Sequence, residues 1–434
     1  MLTILVLALM AVLLAGGRQP ARAESNAAAE VTGPPLLNGP VFNDPFVSSG
    51  TQGVPSPQQS AVMDQLIRLI KATQPGGEIN LAMHEFKPGQ RSSDVVFALI
   101  DAHNRGVKVK VILDGQEDGD NDVVFLDLSR YLYTDESADS WVVNCEYPDP
   151  GQIARGCIAK NYLHSKFAVF SKVRVDGVDH PAVVFQTSSN LSDWYLYNSY
   201  NDAYTFTVTP GTPDAAAYDG YRKYFRDLQL NRHGSVNPGY FWATPEGTKH
   251  RALFYPRERE SGDPVYNILD LVKCSYQDAD GVRRQTDVRM ALTGFQKSRE
   301  AIARKLLELR GQGCWIDIVF LEQPDSVPVQ DRQIDGTIRS ILNSHSGNPD
   351  YPYIQTTPCR IPAAGTNGVV PHTKLMMLDG FYHDDIVPRV YTGSANFYTM
   401  ENSDDSTLRI MGRDTHSEYL FWFYKLRRAC AAAN

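Results

Sequence analysis

The chain lacks a surplus of positive charge. Its 42 lysines and arginines face 50 aspartates and glutamates, giving a net charge of −8 at pH 7. No global field draws it to nucleic acid, although a local basic cleft is compatible with that balance. It also lacks the spacing of a zinc site, because no C-x2-C or C-x-H cluster occurs around its six cysteines. Beyond residues 2–15 it has no run apolar enough to cross a bilayer.

That first run, LTILVLALMAVLLA, is too short to span a membrane comfortably, and A-R-A follows at 21–23. The pattern reads as a secretory signal peptide cut after Ala23, which makes the protein secreted. No Lys or Arg precedes the run, so a buried or interfacial N-terminal helix is the alternative. An even number of cysteines in an exported chain implies three disulfides. Proximity favours Cys145–Cys157 and Cys274–Cys314, leaving Cys359–Cys430. Residues 24–56, rich in Ala, Gly, Pro, Ser and Asn, read as a flexible or loosely docked lead-in.

The remainder falls into two copies of one pattern. The spacing predicts a helix within 58–73, a strand at 78–86, a helix at about 92–104 and a strand at 107–115. This β-α-β unit implies a parallel pair of strands. An acidic stretch at 114–122 reads as a solvated loop. A short helix near 122–132 and a strand near 140–146 follow. Strands at 163–170 and 182–190 are joined through an Asp-Gly turn, a strand begins after Asp202, and a helix at about 213–229 ends the half. The second half replays the order, with a helix near 264–273, a strand at 287–295, a helix at 298–311 and a strand from Cys314. Ala82 and Ala291, Gly106 and Gly313, His164 and His372, and Asn190 and Asn396 are all offset by about 206–209 positions. A near-constant offset indicates internal duplication. The Gly, Pro and Asn cluster near 232–248 marks the boundary, giving an N-terminal half over 57–240 and a C-terminal half over 241–434.

Each half carries the same polar set. The first reads L-H-S-K-F-A-V-F-S and then T-S-S-N; the second reads P-H-T-K-L-M-M-L-D and then G-S-A-N. Side chains at i and i+2 of a strand project from one face, so His164 with Lys166, and His372 with Lys374, are expected to point into one space. Ser188 with Asn190, and Ser394 with Asn396, obey the same rule. An imidazole, an ammonium, a hydroxyl and a carboxamide suit a phosphate: one group attacks or protonates, and the others hold non-bridging oxygens.

These motifs resemble those of the phospholipase D superfamily, H-x-K-x4-D followed by G-S/G-x-N, usually twice per chain. The second copy matches fully through His372, Lys374, Asp379, Gly393, Ser394 and Asn396. The first departs at Ser171, where the family has Asp, and at Thr187, where it has Gly. The resemblance implies an α/β fold: two tandem α/β/α sandwich halves about a pseudo-two-fold axis, with the site between them. It implies displacement at phosphorus through a phosphohistidine, with His164 as nucleophile and His372 as general acid and base. Lys166, Lys374, Asn190 and Asn396 would hold phosphoryl oxygens, with Ser188 and Ser394 as weaker candidates. The family places an acid shortly after S-x-N to fix each imidazole. Asp202 and Asp405 stand at matching points, with Asp404 a rival to the latter. No metal or other cofactor is required, since two ammonium groups supply positive charge.

Other residues carry weaker signals. His84 either lines the cleft or is a core histidine. Asn190-Leu191-Ser192 matches a glycosylation pattern that a cleft position would leave unused. Trp194, Tyr195, Tyr197 and Tyr200 either wall the entrance against a lipid or pack as an ordinary loop. The expectation is a monomeric phospholipase D that hydrolyses phospholipid at a membrane or micelle surface, with water or an alcohol as acceptor. A nuclease of the same chemistry and a non-catalytic lipid-binding module are the competing readings, and net acidity disfavours nucleic acid.

Overall fold

A computed structural model describes residues 30–51, 53–115, 121–145, 155–363 and 368–433. The expected signal peptide lies outside them. Two mixed sheets dominate. The first runs Gly39–Phe42, Asp202–Thr207, Val183–Thr187, Lys166–Phe170, Glu78–Met83, Lys108–Leu113, Trp141–Asn144. The second runs Trp242–Ala243, His250–Phe254, Ser406–Met411, Arg389–Gly393, Lys374–Asp379, Asp287–Leu292, Trp315–Leu321, Gln355–Cys359. In each, the strand carrying the lysine is central. It pairs antiparallel with the first strand of the β-α-β unit, Met83 opposite Lys166 and Leu292 opposite Lys374. That first strand pairs in parallel with the next, as a crossover helix demands.

Alternation along the central strands divides the core. Ala168 and Phe170 face helices Ala61–Ala72 and Gln90–Asn104 on one outer side. Met376 and Leu378 face helix Glu300–Gly311 on the other. Phe167 and Val169, with Leu375 and Met377, face inward into one apolar core common to both halves, into which helices Ala216–Asn231 and Arg413–Ala433 also pack. The three disulfides are Cys145–Cys157, Cys274–Cys314 and Cys359–Cys430, as proximity predicts. Among the described residues, no helix is long and apolar enough to cross a membrane.

Three expectations need correction. The lead-in is not loose throughout: Gly39–Phe42 adds an antiparallel edge strand to Asp202–Thr207, because alternate apolar residues there find a sheet edge to cover. Within the acidic stretch, Asp114 is buried and accepts the backbone N–H of Leu163, so its carboxylate serves the interior; residues 116–120 of that stretch lie outside the described residues. The strand expected over 163–170 is broken. Tyr162–Leu163 and Lys166–Phe170 are separate strands, and His164 lies in the break.

The break arises because the two halves exchange short strands. Tyr162–Leu163 pairs in parallel with Ser403–Asp404 of the second half, and Val370–Pro371 pairs in parallel with Ser199–Tyr200 of the first. The backbone N–H of His164 donates to the Asp404 carbonyl at 3.0 Å, and that of His372 to the Tyr200 carbonyl at 2.9 Å. This reciprocity is the pseudo-two-fold relation in hydrogen bonds.

Candidate active site

The exchanged strands bring both histidines to one cavity of about 350 Å³, which Asn190 and Asn396 also line. Tyr162, Trp194, Tyr195, Tyr255 and Tyr398 form much of its wall. Each imidazole is fixed from behind by the opposite half. His164 Nδ1 lies 2.8 Å from Asp405 Oδ1, and His372 Nδ1 lies 3.0 Å from Asn201 Oδ1. Both acceptors require Nδ1 to carry the hydrogen, which leaves each Nε2 with a lone pair for the cavity.

The expected role of Asp202 is therefore wrong by one residue. The backbone N–H of Ser188 donates to the Asp202 carbonyl, and that of Ser394 to the Ser406 carbonyl. Asp202 thus matches Ser406, and Asn201 matches Asp405. A shift of one in a strand turns a side chain to the other face. Asp202 accordingly points into the interface, where it accepts hydrogen bonds from Thr373 Oγ1 at 2.7 Å, Thr392 Oγ1 at 2.5 Å and Tyr419 OH at 3.0 Å. The rival Asp404 also faces away from the histidines; it accepts the backbone N–H groups of Ile158 and Ala159, and burial pushes its carboxyl up to about 8. The signal for Asn201 was present: it immediately precedes the strand, as Asp405 does.

Ser188 and Ser394 turn away from the cavity. Ser394 Oγ donates to Asp405 Oδ1 at 2.6 Å and accepts the Ser406 N–H; Ser188 Oγ accepts the Asp202 N–H. They brace the acceptors behind the histidines and do not line the pocket. Lys166 and Lys374 are buried behind the histidines and do not line the cavity; their Nζ atoms donate to the carbonyl of their own histidine at 2.7 and 2.5 Å. Lys374 Nζ also donates to Thr293 Oγ1 at 3.0 Å. The amide oxygens of Asn190 and Asn396 are buried with no hydrogen-bond partner among the described residues. A phosphoryl oxygen in the cavity would be met by the amide Nδ2, the only donor a carboxamide has.

The electrostatics follow from burial. Burial lowers His164 to about 3, aided by the Lys166 charge and opposed by Asp405. His372 is lowered well below its ordinary value, first by burial and then by Lys374. Both rings are therefore neutral before an anion arrives. Burial brings Lys166 to about 7 and holds Lys374 well below its ordinary value. Burial opposes the charge on Asp405, but the His164 ring and the Ser394 and Ser403 hydroxyls outweigh it and hold the carboxyl well below the usual range. An incoming phosphate reverses the balance, because its negative charge favours protonation of the imidazoles and lysines around it.

The two departures from the motif have local causes. Gly393 has φ of 149°, and a Cβ there would meet the Ser406 carbonyl oxygen at 2.3 Å. Thr187, at the matching place, instead donates its hydroxyl to the Asp202 carbonyl at 2.8 Å. Ser171 Oγ accepts the Glu78 N–H, whereas Asp379 pairs with Arg413. Both positions are structural and neither reaches the cavity.

Residues 66–228 match the family model described as cardiolipin synthase, PLD-like domain. No curated protein matches the sequence. Among solved structures, a polyphosphate kinase from Porphyromonas gingivalis superposes with a TM-score of 0.52 at 14% identity, over 91% of this chain and 54% of that one. This chain thus spans about half the length of that relative. A phosphatidylserine synthase from Haemophilus influenzae Rd KW20 gives a TM-score of 0.51 at 12% identity, over 86% of this chain and 84% of that one. At these identities the likeness establishes the fold. The family match over residues 66–228 and the fold of most of the chain agree, and together they support a member of the phospholipase D superfamily.

Proposed function

We propose that the protein is a secreted phospholipase D that hydrolyses glycerophospholipids through a phosphohistidine. The observation that carries this reading is the single cavity lined by His164 and His372, each held by an acceptor from the opposite half. In the first step His164 Nε2 attacks phosphorus in line; a P–N bond forms as the P–O bond to the head group breaks. The departing oxygen takes a proton from His372 Nε2. In the second step His372 removes a proton from water or an alcohol, whose oxygen attacks phosphorus as the P–N bond breaks. Lys166, Lys374, Asn190 and Asn396 hold the phosphoryl oxygens.

The two acceptors support this order of roles. A phosphorylated imidazole is cationic, and the anionic Asp405 stabilises that charge on His164. His372 must give up a proton, and the neutral Asn201 holds its ring without strengthening its grip on the proton. A lipid substrate fits the aromatic wall: Trp194 lines the cavity while remaining 45% exposed, a place where an indole can meet an acyl chain. The net charge of −8 disfavours a polyanion.

The test is an assay of the full chain with chelator present, on vesicles of a choline-headed phospholipid and, separately, on single-stranded DNA. Choline release unaffected by chelator is expected, together with phosphorylated His164 in acid-sensitive, base-stable peptides. His164→Ala is expected to lower the rate by at least about 10³-fold, the scale of losing a nucleophile. Nicking of DNA without choline release would replace the lipid reading by the nuclease one. Silence on both substrates would leave a binding module.

A further inference from the structure

The duplication supplies an internal control outside the catalytic cavity. In each half the last helix packs on the inner face of the sheet, Ala216–Asn231 in the first and Arg413–Ala433 in the second. Their buried faces align in step, Tyr221 with Tyr419, Tyr224 with Trp422, Phe225 with Phe423 and Leu228 with Leu426. Arg226 therefore matches Tyr424, and Gln229 matches Arg427. On the sheets, Asn80 stands opposite Lys110 as Arg289 stands opposite Asp317.

The second half ties helix to sheet with its own charges. Arg427 Nε donates to Asp317 Oδ1 at 2.9 Å. Arg289 Nη2 donates to Asp287 Oδ2 at 2.9 Å and to the Tyr424 hydroxyl at 3.1 Å. The first half reverses the acid: Lys110 stands where Asp317 does, and Gln229 replaces Arg427. The seam there is a cleft of about 630 Å³, a ligand-sized space. It shares no lining residue with the catalytic cavity. Lys110, Arg222, Lys223 and Arg226 line it against two acids, Glu78 and Asp219. Glu78 lies 3.3 Å from Lys110, and Lys223 pairs with Asp227. Among the described residues, Arg222 and Arg226 make no ion pair. They stand one helical turn apart on an exposed face.

Positive charge converging on a cleft raises the local concentration of anions. In the second half the chain supplies the anion itself, as Asp317. We propose that the first-half cleft binds a phosphate monoester, whose dianion takes the place of that missing carboxylate and bridges Lys110 on the sheet to Arg222 and Arg226 on the helix. A guanidinium meets two phosphate oxygens at once, and a monoester presents three, so two arginines and an ammonium are satisfied together. A carboxylate offers only two oxygens and one charge. Asp219, one turn before Arg222, repels the anion at one end of the row. The phosphate therefore lies toward Arg226, where exposed Leu230 borders the path of the ester's alcohol. The site is independent of the reaction at the two histidines.

The test is titration of the full chain with glycerol 3-phosphate, read at the side-chain amide resonance of Asn80, which lines this cleft and not the catalytic cavity. Asn80→Ser assigns the signal, which is expected to shift and saturate. Arg226→Ala is expected to weaken that response about tenfold, the scale of one charged hydrogen bond, while turnover of a soluble phosphodiester stays unchanged. Lys110→Asp with Gln229→Arg installs the ion pair of the second half and is expected to abolish the response. Should that double variant not fold, the exposed Arg226 carries the test. A second arm uses vesicles of a phosphorus-free galactolipid doped with phosphatidic acid. Co-sedimentation that Arg226→Ala loses assigns the cleft to a lipid head group, and a response to glycerol 3-phosphate alone assigns it to a soluble ester. A stationary Asn80 signal with no co-sedimentation, or equal affinity in Arg226→Ala, would overturn the proposal. A protein inert toward phosphodiesters that still binds the monoester here would strike the proposed function and spare this site.

Discussion

Asn201 and Asp405 differ by one heavy atom and one charge, and they stand behind the His372 and His164 rings. A carboxylate at position 201 would favour the protonated form of His372, which then remains an acid to higher pH. Asn201→Asp is therefore expected to move the alkaline limb of the kcat profile upward by about one pH unit, measurable on a soluble phosphodiester. No movement, or movement downward, would remove Asn201 from the positioning role. Its neighbour is a residue of another kind. Asp202→Ala strips three hydroxyl groups of a common acceptor inside the interface, leaving Thr373, Thr392 and Tyr419 unsatisfied. A loss of about 2–4 kcal/mol in denaturant stability is expected, and a variant as stable as the parent would show that water replaces the carboxylate.

At the scale of elements, the duplicated β-α-β units and the catalytic strands were legible because apolar periodicity and turn residues are local. So were the disulfides, whose cysteines pair in order along the chain. The break at His164 was not legible, since the partner of Leu163 is Asp404, far along the sequence. A run such as L-H-S-K-F-A-V-F looks like one strand until a second chain segment competes for its backbone. The same competition hid Asn201: 13 positions separate Ser188 from it and 11 separate Ser394 from Asp405, so counting from the motif fails. Counting back from the following strand succeeds. The serines of S-x-N were misjudged for a similar reason, because a hydroxyl beside a phosphate site is equally suited to cap a backbone N–H. Asp-Gly at 176–177 behaved as its chemistry dictates, both residues at positive φ between Val173–Val175 and Val178–His180.

At the scale of the molecule, neither half holds a complete site. Each lends the other an acceptor and a short strand, and their cores merge through Phe167, Val169, Leu375 and Met377. Separately produced halves, cut within 232–248, are expected to show no turnover individually, below about a thousandth of the intact rate. Turnover by one isolated half, measured with the other absent, would contradict the shared site unless that half dimerises, which sedimentation would reveal.

The crossed strands also govern how the protein can breathe. In a hinged enzyme, two lobes swing apart to let go of product while each keeps its own catalytic groups in order. Here any such swing would pull Asp405 from His164 and Asn201 from His372 in the same motion, dismantling the chemistry at both ends. With the lobes locked, a ligand would have to reach the cavity past its exposed wall, of which Trp194 is part.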